Sequence, residues 1–360
     1  MVEAMKILKG YKKTEVGIIP NDWEVNILGN LIEKFVNGGT PSTQVTEYWN
    51  GNIPWITGAD ILNQKVAVIR RYISKEAVKN SSTNIIEKGN LLFVSRTGVG
   101  KLAIAPFDIA ISQDFTGIYV KQSELSTQGI TRDTLSSFQI PLPPTKSEQT
   151  TIATALNDAD ALITQLEKLI AKKRNIKRGA MQELLRPKEG WEAKKLGEIP
   201  LSVASGKSNT QSKEGKYPIY GSTGIIGWRN VYDYEGNKIL IARVGANAGT
   251  VNKVSGKYCV SDNTLIVSLQ SNIDIDFIFF KLINYHLNRL VFGSGQPLIT
   301  GGQLKNLEFS LPSKEEQTRI AQILSDMDAE IEALEKKLEK YKMIKQGMMQ
   351  NLLTGKIRLV

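Results

Sequence analysis

The sequence predicts an α/β chain: two mixed α/β domains separated by two long helices that pack as an antiparallel coiled coil, the halves forming a pseudo-two-fold repeat. Three observations carry this. One long helical stretch occurs twice, from Glu148 to Leu185 and from Glu316 to Leu353, at a constant offset of 316 minus 148, or 168 residues. Apolar residues in it recur at Ile152, Leu156, Ala159, Ile163, Leu166 and Ile170, and again at Ile320, Leu324, Met327, Ile331, Leu334 and Leu338, an alternating spacing of four and three that makes a heptad seam. The repeat also reaches upstream, because Trp23-Glu24 with Leu28-Gly29 returns as Trp191-Glu192 with Leu196-Gly197. The duplicated unit is therefore a whole domain followed by its helix.

Taken in order, the first domain covers residues 1–140, the first helix 141–186, the second domain 187–310 and the second helix 311–360. Within each domain, short β-like runs alternate with Gly, Pro, Asn and Ser, as in Leu91 to Ser95 before Arg96-Thr97-Gly98 and Ile239 to Ala242 before Arg243-Val244-Gly245. Ser112-Gln113-Asp114 echoes Ser261-Asp262-Asn263, and Ile130-Thr131 with Leu135 echoes Ile299-Thr300 with Leu304. Both domains enter their helix through a Leu-Pro step, Leu142-Pro143 and Leu311-Pro312, where proline blocks an earlier start and the following Glu suits a helix N-terminus. Each seam needs a helical partner, and the economical expectation is that each helix is the other's. The interiors differ. The first domain carries an insert-like stretch with Tyr48, Trp49 and Trp55, and the second an apolar helix candidate from Asp276 to Phe292.

Composition bounds the function. The chain of 360 residues has a formal net charge of +10, which suits either a polyanionic partner or simple solubility, and one cysteine, Cys259, which excludes a disulfide framework. With no apolar run near the length of a bilayer and no hydrophobic leader at Met1 to Gly10, the expectation is a cytoplasmic protein with no membrane role. One histidine, His286, and one cysteine cannot assemble a zinc site, so no metal is expected. A base-modifying methyltransferase needs an Asn/Asp-Pro-Pro-aromatic loop, whereas Pro143-Pro144 lies between Leu142 and Thr145. Gly98-Val99-Gly100-Lys101 is neither a dinucleotide fingerprint, since Pro106 precedes any helix, nor a phosphate-binding loop. No catalytic residue and no cofactor is expected: the chain reads as a binder.

At Trp23-Glu24-Val25, Tyr217 to Gly224, Gly295-Gln296-Pro297 and, above all, the twice-used Leu-Pro, Glu-Gln and coiled-coil order, the sequence resembles the DNA specificity subunits of Type I restriction-modification enzymes. The resemblance implies two target-recognition domains that read a split, asymmetric site on double-stranded DNA. It also implies a helix pair that holds two methyltransferase subunits and, in some systems, restriction or motor subunits. The candidate DNA contacts are Ser42, Thr43, Thr57 and Arg96 in the first domain and Lys207, Ser208, Ser222, Thr223 and Arg243 in the second. Hydroxyls and cations on Gly-flanked loops suit groove contact, and such loops are also ordinary surface turns. Arg96 and Arg243 hold equivalent positions, so each either reaches DNA or closes a salt bridge of the framework. The basic run from Lys172 to Arg178 either follows phosphates or forms a solvated helix face. Two other readings stay open at this point, a self-contained methyltransferase or nuclease and a coiled-coil scaffold with no nucleic-acid role.

Overall fold

The structure, a computed structural model, describes residues 9–62, 64–97, 99–120, 137–208, 214–291 and 298–359, the side chains of 200 and 201 apart. The chain divides into two compact units. One comprises Met1–Leu162 with Tyr341–Val360, the other Ile163–Lys340. Each holds one domain together with part of both long helices.

In the first unit, β1 (Tyr11–Thr14) and β2 (Gly17–Pro20) form a hairpin. β3 (Glu24–Ile27) leads through a helical turn, α1 (Leu28–Leu31), into β4 (Ile32–Asn37). Then come β5 (Ile53–Ile56), β6 (Ile61–Leu62), β7 (Lys65–Val66), β8 (Arg71–Ile73), α2 (Lys75–Lys79) and β9 (Asn84–Ile86). The domain closes with β10 (Leu91–Val94), β11 (Leu102–Ile104), β12 (Ile109–Ile111), β13 (Phe115–Val120) and β14 (Gln139–Leu142). Two four-stranded sheets result, in the orders β11-β10-β13-β4 and β8-β5-β12-β9, while β14 pairs back on β3. β10 is buried on both faces, so it reads as an unbroken apolar run. Leu92 and Val94 enter one core cluster, and Leu91 and Phe93 the other, as the two-residue period of a strand requires. Beside it Gly117 faces Ile86, whose side chain would lie 2.1 Å from any added Cβ.

The first long helix, α3 (Lys146–Leu184), begins behind Thr145, whose hydroxyl accepts the Glu148 amide at 3.2 Å. The second domain follows with β15 (Glu192–Lys195), β16 (Pro200–Ser205), β17 (Tyr217–Gly221), β18 (Gly224–Arg229), β19 (Tyr234–Glu235) and β20 (Lys238–Ala242). After these come β21 (Val251–Val254), β22 (Lys257–Val260), β23 (Thr264–Leu269), α4 (Ile275–Tyr285), α5 (Gly301–Lys305), β24 (Glu308–Leu311) and the second long helix, α6 (Lys314–Leu352). Its sheets run β16-β23-β20-β21 and β18-β17-β22-β19, which is the order of the first domain strand for strand. Each second sheet contains one parallel pair, β5 with β12 and β17 with β22. The apolar helix is shorter than the sequence reading had it. It stops at His286, which adopts φ 55° as a left-handed cap, and a short 3-10 turn, Leu287–Leu290, follows. The stretches 121–136, with Ile130, Thr131 and Leu135, and 292–297, with Gly295, Gln296 and Pro297, lie outside the described residues, as does Gly98.

In the first unit the opening of α3 packs on the end of α6, with Ile152 and Leu352 buried beside Trp23 and Ile19, and with Leu156 and Met348 against them. In the second unit the opening of α6 meets the end of α3. Ile320 and Leu324 join Met181 and Leu185 in the domain core, while Leu166, Ile170, Ile331 and Leu338 are buried and Ile163 and Leu334 half-buried. Burying one such Leu or Ile contributes roughly 1.5–3 kcal/mol. Ion pairs accompany the antiparallel packing: Lys173 pairs with Glu330 at 2.6 Å and Lys177 with Asp328. In the first unit Lys345 pairs with Asp160 at 2.7 Å. Adding 168 to 177 gives 345, and adding it to 160 gives 328, so the repeat forms one ion pair twice.

Candidate nucleic-acid interface

In each domain the residues singled out from the sequence gather where the parallel strand pair ends. In the first domain, Thr57 follows β5 and opens a 3-10 turn, Gly58–Asp60, whose last residue is a buried carboxylate. Asp60 Oδ2 accepts the Thr57 amide at 2.7 Å and its hydroxyl at 2.9 Å, and Oδ1 accepts Arg70 Nε at 2.6 Å. A buried carboxylate with three donors keeps its charge paired, so the turn and the start of β8 are tied together. The loop after Arg96 lies on this turn. Lys101 Nζ donates to the carbonyls of Gly58 and Ile61 at 2.9 and 3.1 Å, and a Cβ on Gly58 would meet the Thr97 carbonyl at 2.6 Å. The Lys101 loop is thus a structural clasp. Arg96 itself stands exposed, its amide donating to the Asp114 carbonyl.

Beside the turn lies an open depression of about 680 Å³ lined by Thr43, Trp49, Arg70, Arg71 and Tyr72 among others. Trp49 is held by its indole N–H, which donates to the Ser42 carbonyl at 3.1 Å, so the loop carrying Ser42 and Thr43 forms the rim. Trp55, fully buried, donates to Gly39 and Thr83 and meets Trp49 edge to face at 5.0 Å. The guanidinium of Arg71 lies over both rings, 5.6 Å from Trp49 and 5.8 Å from Trp55. Gly51 permits this packing because a side chain there would strike the Ile73 carbonyl at 2.1 Å. Arg70 and Arg71 escaped the sequence reading, and Trp49 entered it only as part of the insert and not as a contact residue. The signal was present in Arg70-Arg71-Tyr72 beside a Trp-rich insert, a basic patch interleaved with aromatic rings.

In the second domain, Lys207 and Ser208 both donate their amides to Val260 at the end of β22. Lys207 is exposed, while Ser208 is buried and donates its hydroxyl to Asp233 at 2.5 Å, with Arg229 bridging the two at 3.2 and 3.1 Å. Ser222 and Thr223 form the tip of the two-residue turn between β17 and β18, and the Ser222 hydroxyl donates to Asn263 at 2.7 Å. Arg243 donates its amide to that same carbonyl, the bond that Arg96 makes to Asp114 in the first domain. Their side chains differ: Arg243 is half-buried and donates to Ser205 at 3.3 Å. At the other end of the parallel pair, where β17 and β22 begin, Tyr217 and Tyr232 pack edge to face at 5.1 Å, with Lys257 4.6 Å over Tyr232. The hydrogen bond to Tyr232, then the charge of Glu235, pushes the Lys257 ammonium above its usual range. Tyr258 lies beneath, its phenol pushed up to about 12 by burial and by the neighbouring Tyr220 and Tyr234, so it stays a neutral donor to Gly236.

The basic run of the first helix does something the sequence left undecided. Lys173, Arg174 and Lys177 pair with Glu330, Glu335 and Asp328 of α6, so these three cations tie helix to helix. Among the described residues no helix is long and apolar enough to cross a membrane.

The family described as Type I restriction modification DNA specificity domain matches residues 20–128, 119–178 and 188–342. The specificity subunit of the Type I restriction enzyme MjaIX from Methanocaldococcus jannaschii is 26% identical over 422 aligned residues, covering 97% of this chain and 96% of its own. That of the EcoprrI enzyme from Escherichia coli is 27% identical, covering 81% of this chain and 84% of its own. The crystal structure of a Type I restriction-modification S subunit from M. genitalium superposes with a TM-score of 0.64 at 16% identity, over 92% of this chain and 96% of that one.

Proposed function

We propose that this chain, which belongs to the Type I restriction modification DNA specificity family, reads a bipartite, asymmetric DNA sequence through its two domains, one half-site to each. The observation that supports this best is the duplicated sheet order, which carries unlike side chains in the two domains. The first domain presents Thr43, Trp49, Arg71 and Tyr72, and the second Lys207, Tyr217, Tyr232 and Lys257. A repeated framework suits the repeated phosphate backbone, and unlike side chains suit unlike bases. On this reading residues 1–140 and 187–310 are the recognition domains, and Ser42, Thr57, Ser208, Ser222 and Arg243 position their neighbours. Thr43, Arg96, Lys207 and Thr223 face the groove.

The chain carries no chemistry of its own and acts by bringing methyltransferase subunits to the site. Two copies of one such partner fit, because the repeat presents equivalent surfaces. Ile176 and Ile344, related by the 168-residue offset, are both exposed on their helices, at 47% and 43%. The test is reconstitution. The purified chain should neither bind S-adenosylmethionine in a calorimeter nor methylate DNA, and should confer sequence-specific methylation on an added Asn-Pro-Pro-aromatic methyltransferase at two subunits per chain. Stoichiometric cofactor binding by the chain alone, or saturation at one methyltransferase subunit, contradicts it.

A further inference from the structure

We infer that Arg71 is a base-reading residue of the first domain, presenting its guanidinium edge to a guanine in the major groove. The inference rests on the DNA-recognition reading above and assigns it a residue.

Three observations lead there. Arg71 is exposed, and its guanidinium lies over two tryptophan rings that are themselves fixed by hydrogen bonds to Ser42, Gly39 and Thr83. An arginine stacked in this way has lost much of its rotamer freedom before it binds, and keeps its N–H edges for the two parallel acceptors, O6 and N7, that guanine offers. The neighbouring cation is already neutralised: Arg70 Nε pairs with the buried Asp60 at 2.6 Å, although the rest of its side chain stays exposed. Among the described residues lining the depression, Arg71 is therefore the cation oriented by the rings and not held by a carboxylate, unlike a diffuse basic patch of the kind that follows phosphates.

The third observation is the repeat. Trp55 stands opposite Arg71 in the β5–β8 ladder and opposite Ala110 in the parallel ladder. Ile219 stands opposite Gly227 and Cys259 in the matching ladders of the second domain. Arg71 and Gly227 thus occupy one framework position. A contact to the DNA backbone is needed by both half-sites and belongs at positions the repeat keeps, of which the paired arginines Arg96 and Arg243 are an example. A contact to a base belongs where the domains differ, and Arg71 against Gly227 is such a place.

The experiment uses the full chain assembled with its methyltransferase, on duplex libraries randomised across each half-site. The wild-type complex should select a two-part sequence with a guanine in the half-site read by the first domain. Arg71→Ala should relax selection at that one base pair by about tenfold or more, the size of a lost bidentate contact. Arg71→Lys should fail to restore it, because a point charge lacks the fork. Selection at the other half-site should be unchanged in both variants, which shows that the assembly is intact. Unchanged selection at every position overturns the assignment. So does a uniform loss of affinity with a salt slope shallower by about one, which marks a phosphate contact. If the wild-type complex selects no two-part sequence, the recognition reading itself fails and Arg71 falls with it.

Discussion

Arg358 closes the first unit, and its removal should be felt there alone. Its Nε and Nη2 donate to Glu148 at 2.8 and 2.7 Å, a bidentate pair, and Nη1 donates to Asp22 at 2.8 and 3.0 Å. Glu148 sits at the first turn of α3 with 1% of its side chain exposed, whereas Arg358 keeps 28%. Removing the arginine leaves a desolvated carboxylate with its main counter-charge gone. Breaking a fully buried pair costs about 3–5 kcal/mol; with the Arg358 side reached by solvent and the Glu148 amide end near a helix N-terminus, about 2–3 kcal/mol is expected for Arg358→Ala. Among the described residues the second unit has no equivalent: position 190 is glycine, and the ion pair of Glu316 is with Arg319, at 4.0 Å. Hydrogen exchange should therefore show faster opening of the Trp23 cluster, at Ile152 and Met348 among others, while the Ile320 and Leu324 amides keep their protection. A Glu148→Gln, Arg358→Ala double variant should recover part of the loss, since no charge is then stranded. Equal loss of protection in both units, or no loss in the first, refutes the reasoning.

Lys281 is buried over Trp191 and Phe277, donating to the Leu185 carbonyl at 2.8 Å with no carboxylate paired to it among the described residues, and burial lowers its pKa to about 8. With the ordinary value at 10.5, the unfolded chain binds the extra proton between these limits, so stability should rise by about 2 kcal/mol from pH 8 to pH 10.5 after allowance for solvent screening. Urea midpoints of Lys281→Met should lack that rise; an identical pH profile contradicts the assignment. Reversing Lys177 to Glu should weaken the helix pair of the second unit, and adding Asp328→Lys should restore it, as read by thermal unfolding of the four combinations. No coupling between the two changes would show that the pair contributes only solvent-exposed charge. Ile176→Asp should remove one of two bound methyltransferase subunits and Ile344→Asp the other, measured by mass photometry. Retention of both partners by both variants excludes these faces as docking sites.

Much of this molecule is legible in its sequence because its long-range order is written as short-range periodicity. A heptad seam shows which face of α3 and α6 is buried, and a fixed offset shows that one helix is the other's copy. The Leu-Pro entry is equally local: Thr145 and Ser313 each accept the amide three residues on. What could not be read depended on partners far along the chain. Lys173, Arg174 and Lys177 look like a solvated or phosphate-following run until Glu330, Glu335 and Asp328, more than 150 residues away, are folded against them. Lys207 and Ser208 are adjacent polar residues of one loop, and only the Asp233–Arg229 pair decides that the serine turns inward. Thr57 and Arg70 look unrelated without the buried Asp60 between them. The Arg71 stack needs the pairing of β5 with β8, and nothing local in Arg70-Arg71-Tyr72 says which arginine is committed to a carboxylate and which is free to meet a ligand. The end of α4 at His286 was likewise invisible, since the apolar pattern continues past a residue that leaves the helix by its backbone angles.

The central claim is that one chain joins two independent readings of DNA. It is tested most directly by mapping methylated positions genome-wide in cells that express the chain with its methyltransferase, and again after residues 187–310 are replaced by the matching domain of a relative. The account predicts a single two-part sequence with an unread gap, of which the exchange alters one part and leaves the other unchanged. A continuous sequence, or an exchange that changes both parts together, would contradict it.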